Sequence, residues 1–78
     1  MTNKTIVSHI DEVLARRKKM NKPIQKRSEL AEALGVSTGM IDKYCNDKSI
    51  PPLDKAYKMS YLLEIDLQDL FTYHPDVQ

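Results

Sequence analysis

Several residue types are scarce in this 78-residue chain, which has one cysteine, two glycines, one phenylalanine and no tryptophan. A single cysteine cannot form an internal disulfide bond, so a disulfide-stapled fold is excluded. Long apolar runs are also missing. No run exceeds three or four residues, as at Tyr61–Leu63, whereas a membrane span needs about 20. No apolar stretch follows the first lysine, as a secretory signal would require. We therefore expect a cytoplasmic protein without a membrane span.

The sequence carries no recognisable signature of a metal site or of an enzyme. His9 and His74 are far apart, and neither has a second ligand at metal-site spacing, so we interpret both as ordinary surface residues. Cys45 is interpreted as a small buried apolar residue on a helix. No serine, threonine or cysteine has a base placed to activate it, and no glycine-rich loop is present to hold phosphates. We predict no catalysis, metal, cofactor or small-molecule substrate.

Charge is distributed unevenly, although the net charge is only +1. The window from Arg16 to Arg27 holds seven basic residues and no acid, and this +7 against a net of +1 leaves −6 for the rest. Residues 64–78 hold four acids and no base. This pattern predicts a basic end, suited to nucleic acid, and an acidic end; a solvated charge run is the alternative.

The length and the ordinary content of apolar and charged residues predict one globular domain over residues 1–78.

Apolar periodicity and helix breakers predict three helices in the first two-thirds of the chain. Helix 1 covers about residues 5–19 and ends before Pro23, because proline disfavours helical geometry at the preceding residue. Helix 2 is short and ends at Gly35, a typical C-terminal cap. Ser37 is a good N-cap for helix 3 over about residues 38–46. The apolar sets are Ile6, Ile10, Val13 and Leu14, then Leu30, Ala31 and Leu34, then Met40, Ile41 and Tyr44.

Two further helices are predicted after the proline-bearing connection of residues 46–52. Helix 4 should reach about Leu63, and Asp66 and Asp69 can cap a final short helix through Phe71. With no strand candidate, we predict an all-α fold of five helices with an ordered core over about residues 5–72. The core-facing side of helix 4 is predicted to hold Leu53, Ala56, Tyr57, Ser60 and Leu63. Further core filling is predicted from Met20, Met40, Met59, Tyr57 and Tyr61.

The most informative feature is the pair of helices around Gly35, over about residues 26–46. Two short helices joined by a turn of three or four residues that contains glycine form a helix-turn-helix, whose second helix can enter the major groove of DNA. Ala31 is small where the two helices must approach, and Gly35 can adopt the positive φ of the bend. Ile41 and Tyr44, one turn apart on helix 3, would face inward. Together these features predict a helix-turn-helix.

The same residues resemble the lambda-repressor-like helix-turn-helix domains, which include many bacterial and phage repressors and small Cro-like regulators. The stretch Arg27–Ser37, RSELAEALGVS, is similar to the second helix and turn of that family. Downstream, Pro51 and Leu53 resemble its loop and the start of its fourth helix, and residues 62–71 resemble its closing helix. The resemblance covers about residues 6–71 and implies the family's compact helical fold.

The chain departs from the pattern of that family at two places. The connection from Met20 to Lys26 is longer than is usual. Glu64 stands where glycine is common, which implies a local capping penalty of about 1 kcal/mol or less.

The resemblance implies that helix 3 lies in the major groove and that helix 2 crosses the DNA backbone. Lys43 would approach guanine or a phosphate, while Asp42 would either accept a hydrogen bond from cytosine or weaken binding by facing the phosphates. Further backbone contacts are expected from Lys22, Lys26 and Lys48. The predicted DNA contacts are Arg27 and Ser28 at a phosphate, and Ser37, Thr38, Gly39, Asp42, Lys43 and Asn46 in the groove.

These observations predict a sequence-specific protein that binds double-stranded DNA and regulates transcription, as a small repressor does. One copy would read too few base pairs to select a site in a genome, so we expect a homodimer on a two-fold symmetric operator. The dimer contact is expected around Leu67, Leu70 and Phe71; the alternative is that these residues close the core of the monomer, and for Phe71 we favour the core. The near-neutral charge leaves an alternative open, a protein-interaction module on the same fold, such as an antirepressor or an adaptor.

Overall fold

A computed structural model describes residues 6–74 as five α-helices and one two-stranded antiparallel sheet. The predicted all-α class with five helices is confirmed, and the sheet is a minor addition. Position 5, where helix 1 was predicted to begin, lies outside the described residues. The elements in chain order are β1 (Ile6–Ser8), α1 (Ile10–Lys19), α2 (Arg27–Leu34), α3 (Thr38–Cys45), α4 (Leu53–Leu63), α5 (Leu67–Leu70) and β2 (Phe71–Tyr73).

The small sheet joins the two ends of the described chain, and the expectation of no strand was wrong. Helix α1 consequently begins at Ile10, and α5 ends before Phe71. Strands of three residues are too short to show an alternating pattern in the sequence. Long-range bonds fix them instead: the His9 amide donates to the Leu70 carbonyl at 2.9 Å. The register places Ile6, Val7 and Ser8 opposite Tyr73, Thr72 and Phe71.

The hydrophobic core draws on all five helices. The inward residues predicted for the first three helices are confirmed, apart from Ile6 in β1 and the exposed Met40. Leu70 of α5 is fully buried and closes the core from the C-terminal side. The core consists of Ile10, Val13, Leu14, Leu30, Ala31, Leu34, Ile41, Tyr44, Met59, Leu63 and Leu70.

The side of α4 that packs inward includes the predicted Ala56 and Leu63 but not Leu53 and Tyr57. Ala56, Met59 and Leu63 are buried, whereas Leu53 and Tyr57 are 68% and 59% exposed. Each residue of a helix advances by about 100°, so a buried line through positions 56, 59 and 63 turns positions 53 and 57 toward the flank of the helix. The large side chains of Leu53 and Tyr57 therefore lie on the surface.

Most of the methionines and tyrosines expected in the core are also on the surface. Among the five predicted, Met59 is buried and the others are exposed, Tyr61 by as much as 82%. The smaller aliphatic residues of α1–α3 fill the interior in their place. The prediction that these five residues pack inside was therefore wrong for Met20, Met40, Tyr57 and Tyr61.

A buried charged side chain holds the connection between α1 and α2. Arg17 is 5% exposed, and its guanidinium donates to the backbone carbonyls of Pro23 at 2.7 Å, Ile24 at 3.2 Å and Leu63 at 2.9 Å. Ile24 has a φ of +63°, a left-handed conformation that costs a side chain with a β-carbon about 1–2 kcal/mol. The hydrogen bonds from Arg17 fix this turn. Arg17 therefore belongs to the core and not to the basic surface.

Glu64 ends α4 in the left-handed conformation, with φ 56° and ψ 45°, at the position where the resemblance leads one to expect glycine. Its carboxylate accepts hydrogen bonds from Lys22 at 3.2 Å and Arg17 at 3.3 Å. These two cations hold the pKa of the Glu64 carboxyl below its ordinary value of 4.5. The first acid of the acidic segment thus pairs with the basic window, and the expected separation into a basic and an acidic end was wrong at this point.

Candidate nucleic-acid interface

The bend between α2 and α3 has the geometry that the sequence predicts. Gly35 adopts φ 81° and ψ 30°, and the amides of Gly35 and Val36 both donate to the Ala31 carbonyl, at 2.9 and 3.0 Å. The Ser37 hydroxyl then accepts a hydrogen bond of 3.1 Å from the Met40 amide, so Ser37 is the N-cap of α3. A β-carbon at position 35 would have no atom within 4 Å, so the positive φ, and not the space, favours glycine there.

The start of α2 is fixed by a contact that the sequence analysis missed. The Glu29 carboxylate accepts hydrogen bonds from the amides of Gln25 at 2.7 Å and Lys26 at 3.1 Å. A glutamate three residues after the cap often reaches back in this way, so the spacing from Lys26 to Glu29 is the signal that was available. The contact orders the backbone just ahead of Arg27 and Ser28.

Helix α3 has an inward and an outward side. Ile41 and Tyr44 are buried in the core with Leu30 and Leu34 of α2, as predicted. Cys45 also packs against the core, whereas the exposed residues of α3 turn away from it. The packing therefore presents the polar side of α3 to the surface.

Five of the predicted groove residues are exposed on or beside α3. Met40, which was assigned to the core, is 36% exposed on the same helix and adds an apolar group to this surface. The Met40 side chain is a functional candidate that the sequence did not reveal, because an apolar residue beside Ile41 is expected in the core. The exposed predicted residues are Ser37, Thr38, Gly39, Lys43 and Asn46.

The predicted backbone-contacting residues lie in different settings. Lys26 and Ser28 are exposed at the start of α2, and Lys48 is exposed just beyond the end of α3. Lys22 is half-buried and its ammonium contacts Glu64, near the end of α4. Lys26, Ser28 and Lys48 therefore flank the helix pair, while Lys22 is held toward α4.

Arg27 and Asp42 were predicted to contact DNA independently, but the structure joins them. The Arg27 Nη1 donates to Asp42 Oδ1 at 2.8 Å, across α2 and α3. On its other side, the Arg27 Nε and Nη2 donate to the two carboxylate oxygens of Asp11 in α1, at 2.9 and 2.5 Å. Hydrogen bonding to these carboxylates raises the pKa of Arg27, and the Arg27 hydrogen bond lowers that of Asp11. Asp11 is thus part of this surface, although no sequence signal singled it out.

A model of the helix-turn-helix family matches residues 13–70. The chain belongs to this family. A solved structure of a candidate DNA-binding protein from Bacteroides fragilis is 31% identical, covering 86% of this chain and 98% of that one, with a TM-score of 0.73. A transcriptional regulator from Listeria innocua is 22% identical, covering 92% of this chain and 65% of that one, with a TM-score of 0.62; this similarity concerns the fold alone. No curated protein matches the chain.

The helix-turn-helix assignment agrees with the lambda-repressor-like resemblance found in the sequence. The matched residues include α2, the Gly35 bend and α3, together with α4, α5 and most of α1. The short sheet formed by β1 and β2 lies outside the matched range. The family match therefore covers the pair of helices that carries the candidate interface.

Cys45 and His9 lie behind the helix-turn-helix, where α3 ends against the start of α1. Cys45 is half-buried beside Asp11, and burial raises the pKa of its thiol to about 12, so it stays protonated near neutral pH. His9 was interpreted as an ordinary surface residue, but its ring lies 2.6 Å from Glu12 and 2.5 Å from Thr72, linking α1 to β2.

Within residues 6–74 there is no group of three or more candidate metal ligands. In the same range, the helices are too short or too polar to span a bilayer.

Proposed function

We propose that this protein binds double-stranded DNA with sequence specificity and acts as a small transcriptional regulator of the bacterial or phage repressor type. The observation that carries the proposal is the exposed polar side of α3, held outward by the Gly35 bend and the Ser37 cap. In this arrangement α3 enters the major groove and α2 crosses the backbone. The similar structure from Bacteroides fragilis, described as a candidate DNA-binding protein, supports the same proposal.

The exposed side chains of α3 suggest how bases would be read. Thr38 and Asn46 can exchange hydrogen bonds with base edges, Lys43 can donate to guanine, and Met40 can contact a thymine methyl group. Gly39 offers no side chain and allows close approach of the backbone. The hydroxyl of Ser37 already caps α3 and can still donate a hydrogen bond to a phosphate.

Polar and basic residues on the flanks of the helix pair can contact and neutralise DNA phosphates. Lys26 and Lys48 are exposed there, and Ser28 can donate a hydrogen bond from its hydroxyl. Arg27 retains two N–H groups beyond the three that bind Asp11 and Asp42, since a guanidinium carries five donors. A phosphate contact by Arg27 is therefore compatible with its ion pairs.

We infer that two copies bind together, through an apolar surface beside α4. Ile50, Leu53 and Tyr57 are 63%, 68% and 59% exposed. Large apolar side chains that are exposed near one another can mark an interaction surface. Leu70, which was expected at the dimer contact, is fully buried and unavailable. The three residues border a groove lined by Ile6, Pro51, Ala56, Leu67 and Phe71.

The rim of this apolar surface favours a second copy of the same chain as its occupant. Asp66 lines the groove beside Tyr57, and the exposed Lys58 follows Tyr57 on α4. A two-fold interface brings each residue of a patch against other residues of the same patch, so a rim with both charges can be self-complementary. Such a dimer would present two copies of α3 to two half-sites.

A salt titration of binding to duplex DNA tests the proposed function. A dimer that neutralises about three phosphates per half-site should give a slope near −5 in the logarithm of the association constant against the logarithm of salt concentration. Absence of duplex binding at low salt would contradict the proposal. It would favour the alternative of an antirepressor or adaptor in the cytoplasm, which the net charge of +1 and the apolar surface beside α4 support.

Lys43→Ala tests whether α3 reads bases. The variant should change the sequence preference in a selection from random duplexes, because one base contact is worth about 1–3 kcal/mol of discrimination. Ser28→Ala should lower the affinity for all DNA sequences about equally. Lys19→Ala is the control, since it removes the same charge from an exposed position of α1. An unchanged preference in Lys43→Ala would show that this residue does not face the bases.

A further inference from the structure

The ion pairs of Arg27 connect three helices through one side chain. Asp11 is the second residue of α1, Arg27 is the first residue of α2, and Asp42 is in the middle of α3. Each of the three guanidinium nitrogens donates to a carboxylate oxygen, with distances of 2.5–2.9 Å. Its two ion pairs, at 2.5 and 2.8 Å, are shorter than those that join Glu64 to Arg17 and Lys22, at 3.3 and 3.2 Å.

The two carboxylates have different effects on Arg27. Asp11 binds with both oxygens, which fixes the plane of the guanidinium as well as its position. Asp42 binds with one oxygen to the remaining nitrogen, so its place follows from that plane. Because Asp42 lies between Ile41 and Lys43, the cluster acts on the part of α3 that also carries a candidate base contact.

We propose that Asp11 is a positioning residue for sequence readout: through Arg27 and Asp42 it sets the orientation of α3 toward the DNA bases. The inference rests on the proposed DNA binding and deepens it. Asp11 acts from α1 and does not contact DNA itself. Its partner Asp42 then serves to hold α3 and is not a reader of cytosine.

Positioning can be separated from charge and from folding by the specificity ratio, the affinity for a selected site divided by that for mixed-sequence duplex. The three charged groups sum to −1, so removing an acid by Asp11→Asn reduces repulsion from phosphates for every sequence alike. Loss of folded protein lowers the affinity for the selected site and that for mixed-sequence duplex by the same factor. A misplaced α3 lowers the affinity for the selected site alone. Only the positioning role therefore lowers the ratio.

The experiment measures both affinities at one salt concentration for wild type, Asp11→Asn, Asp11→Glu and Glu12→Gln. We expect the specificity ratio to fall about tenfold in Asp11→Asn, the loss of about one base contact. Asp11→Glu keeps a carboxylate able to bind Arg27 and should recover part of the ratio. Glu12→Gln is the matched control, because it removes a neighbouring acid that contacts His9 and should leave the ratio unchanged. A ratio in Asp11→Asn within twofold of wild type would overturn the proposal.

A second measurement needs no DNA and keeps the two proposals distinguishable. Amide chemical shifts of the free protein should change along α3 in Asp11→Asn but not in Glu12→Gln. If wild type binds duplex and these shifts stay unchanged, the role of Asp11 is overturned while DNA binding stands. If wild type binds no duplex, the proposed function fails, and the readout role of Asp11 fails with it even where the shifts change.

Discussion

The Arg17 guanidinium donates a hydrogen bond of 2.9 Å to the backbone carbonyl of Leu63, 46 residues away and at the last residue of α4. Further hydrogen bonds from the same side chain reach the carbonyls of Pro23 and Ile24 in the connection between α1 and α2. One buried cation therefore gives hydrogen bonds to carbonyl groups of the connection and of the end of α4. These carbonyls have no partner within a helix. The long connection departs from the family pattern, and Arg17 is what holds it against the end of α4.

Arg17→Met should lower the free energy of unfolding by about 3–4 kcal/mol. The substitution keeps the long apolar stem but leaves the carbonyls of Pro23 and Leu63 without their donor, and each buried unsatisfied group costs about 1–3 kcal/mol. Urea denaturation measures the loss. Arg16→Met is the control, because Arg16 is exposed and a surface change is expected within about 0.5 kcal/mol. A loss of less than 1 kcal/mol in Arg17→Met would show that the hydrogen bonds are replaced by water.

Gly35→Ala and Gly39→Ala should change stability in opposite directions. Gly35 has a φ of +81°, so a β-carbon there should cost about 1–2 kcal/mol although it would contact nothing. Gly39 lies within α3, and its β-carbon would meet only the Ser37 hydroxyl at 3.9 Å, so alanine should stabilise by about 0.5–1 kcal/mol. Thermal or urea unfolding gives both values. Equal stability of Gly35→Ala and wild type would contradict the need for a left-handed turn.

The local signals in the sequence were sufficient for the helix pair. Gly35, Ser37, Ile41 and Tyr44 act within a few residues of the bend, and each is found in the conformation or burial that its type favours. A cap or a turn depends on residues within a few positions of it, so the sequence alone is enough to predict it. The resemblance to known helix-turn-helix domains rests on the same short stretch.

Features that depend on distant partners could not be predicted. β1 owes its conformation to β2, 65 residues downstream, and Arg27 owes its ion pairs to Asp11 and Asp42 on two other helices. Composition alone counts Arg17 and Arg27 as free positive charges. In the fold, Arg17 is buried and Arg27 is largely neutralised. The helix pair was therefore predicted correctly, whereas the ion pairs around it were missed.

Leu53→Glu should convert a dimer into a monomer. Leu53 is 68% exposed beside the groove at α4, so a charged residue there should block a second copy with little effect on folding. Tyr61→Glu is the matched control on the same helix, because Tyr61 is even more exposed but does not line this groove. Light scattering across a concentration series gives the masses. The dimer surface is wrongly assigned if Leu53→Glu stays dimeric, or if wild type is monomeric throughout.

Two carboxyl groups make stability depend on acid pH. Asp11 has its pKa lowered mainly by the hydrogen bond from Arg27, and Glu64 has its pKa lowered mainly by the hydrogen bond from Lys22 and then that from Arg17. A carboxyl whose pKa is lower in the folded than in the unfolded protein stabilises the fold above the unfolded value, and this contribution is lost as the pH falls through the folded value. The contribution is thus complete above about pH 5 and declines below about pH 4.

The variant carrying both Asp11→Asn and Glu64→Gln should therefore unfold at a lower urea concentration than wild type at pH 7, and the difference should shrink as the pH falls from 5 toward 2. At the lowest pH wild type has protonated both groups, so its carboxyls no longer attract Arg27, Arg17 or Lys22, and the two proteins become electrostatically alike. Urea midpoints at several pH values measure the convergence. A difference that stays constant down to pH 2 would mean that the two carboxylates stabilise the fold through shape and not through charge.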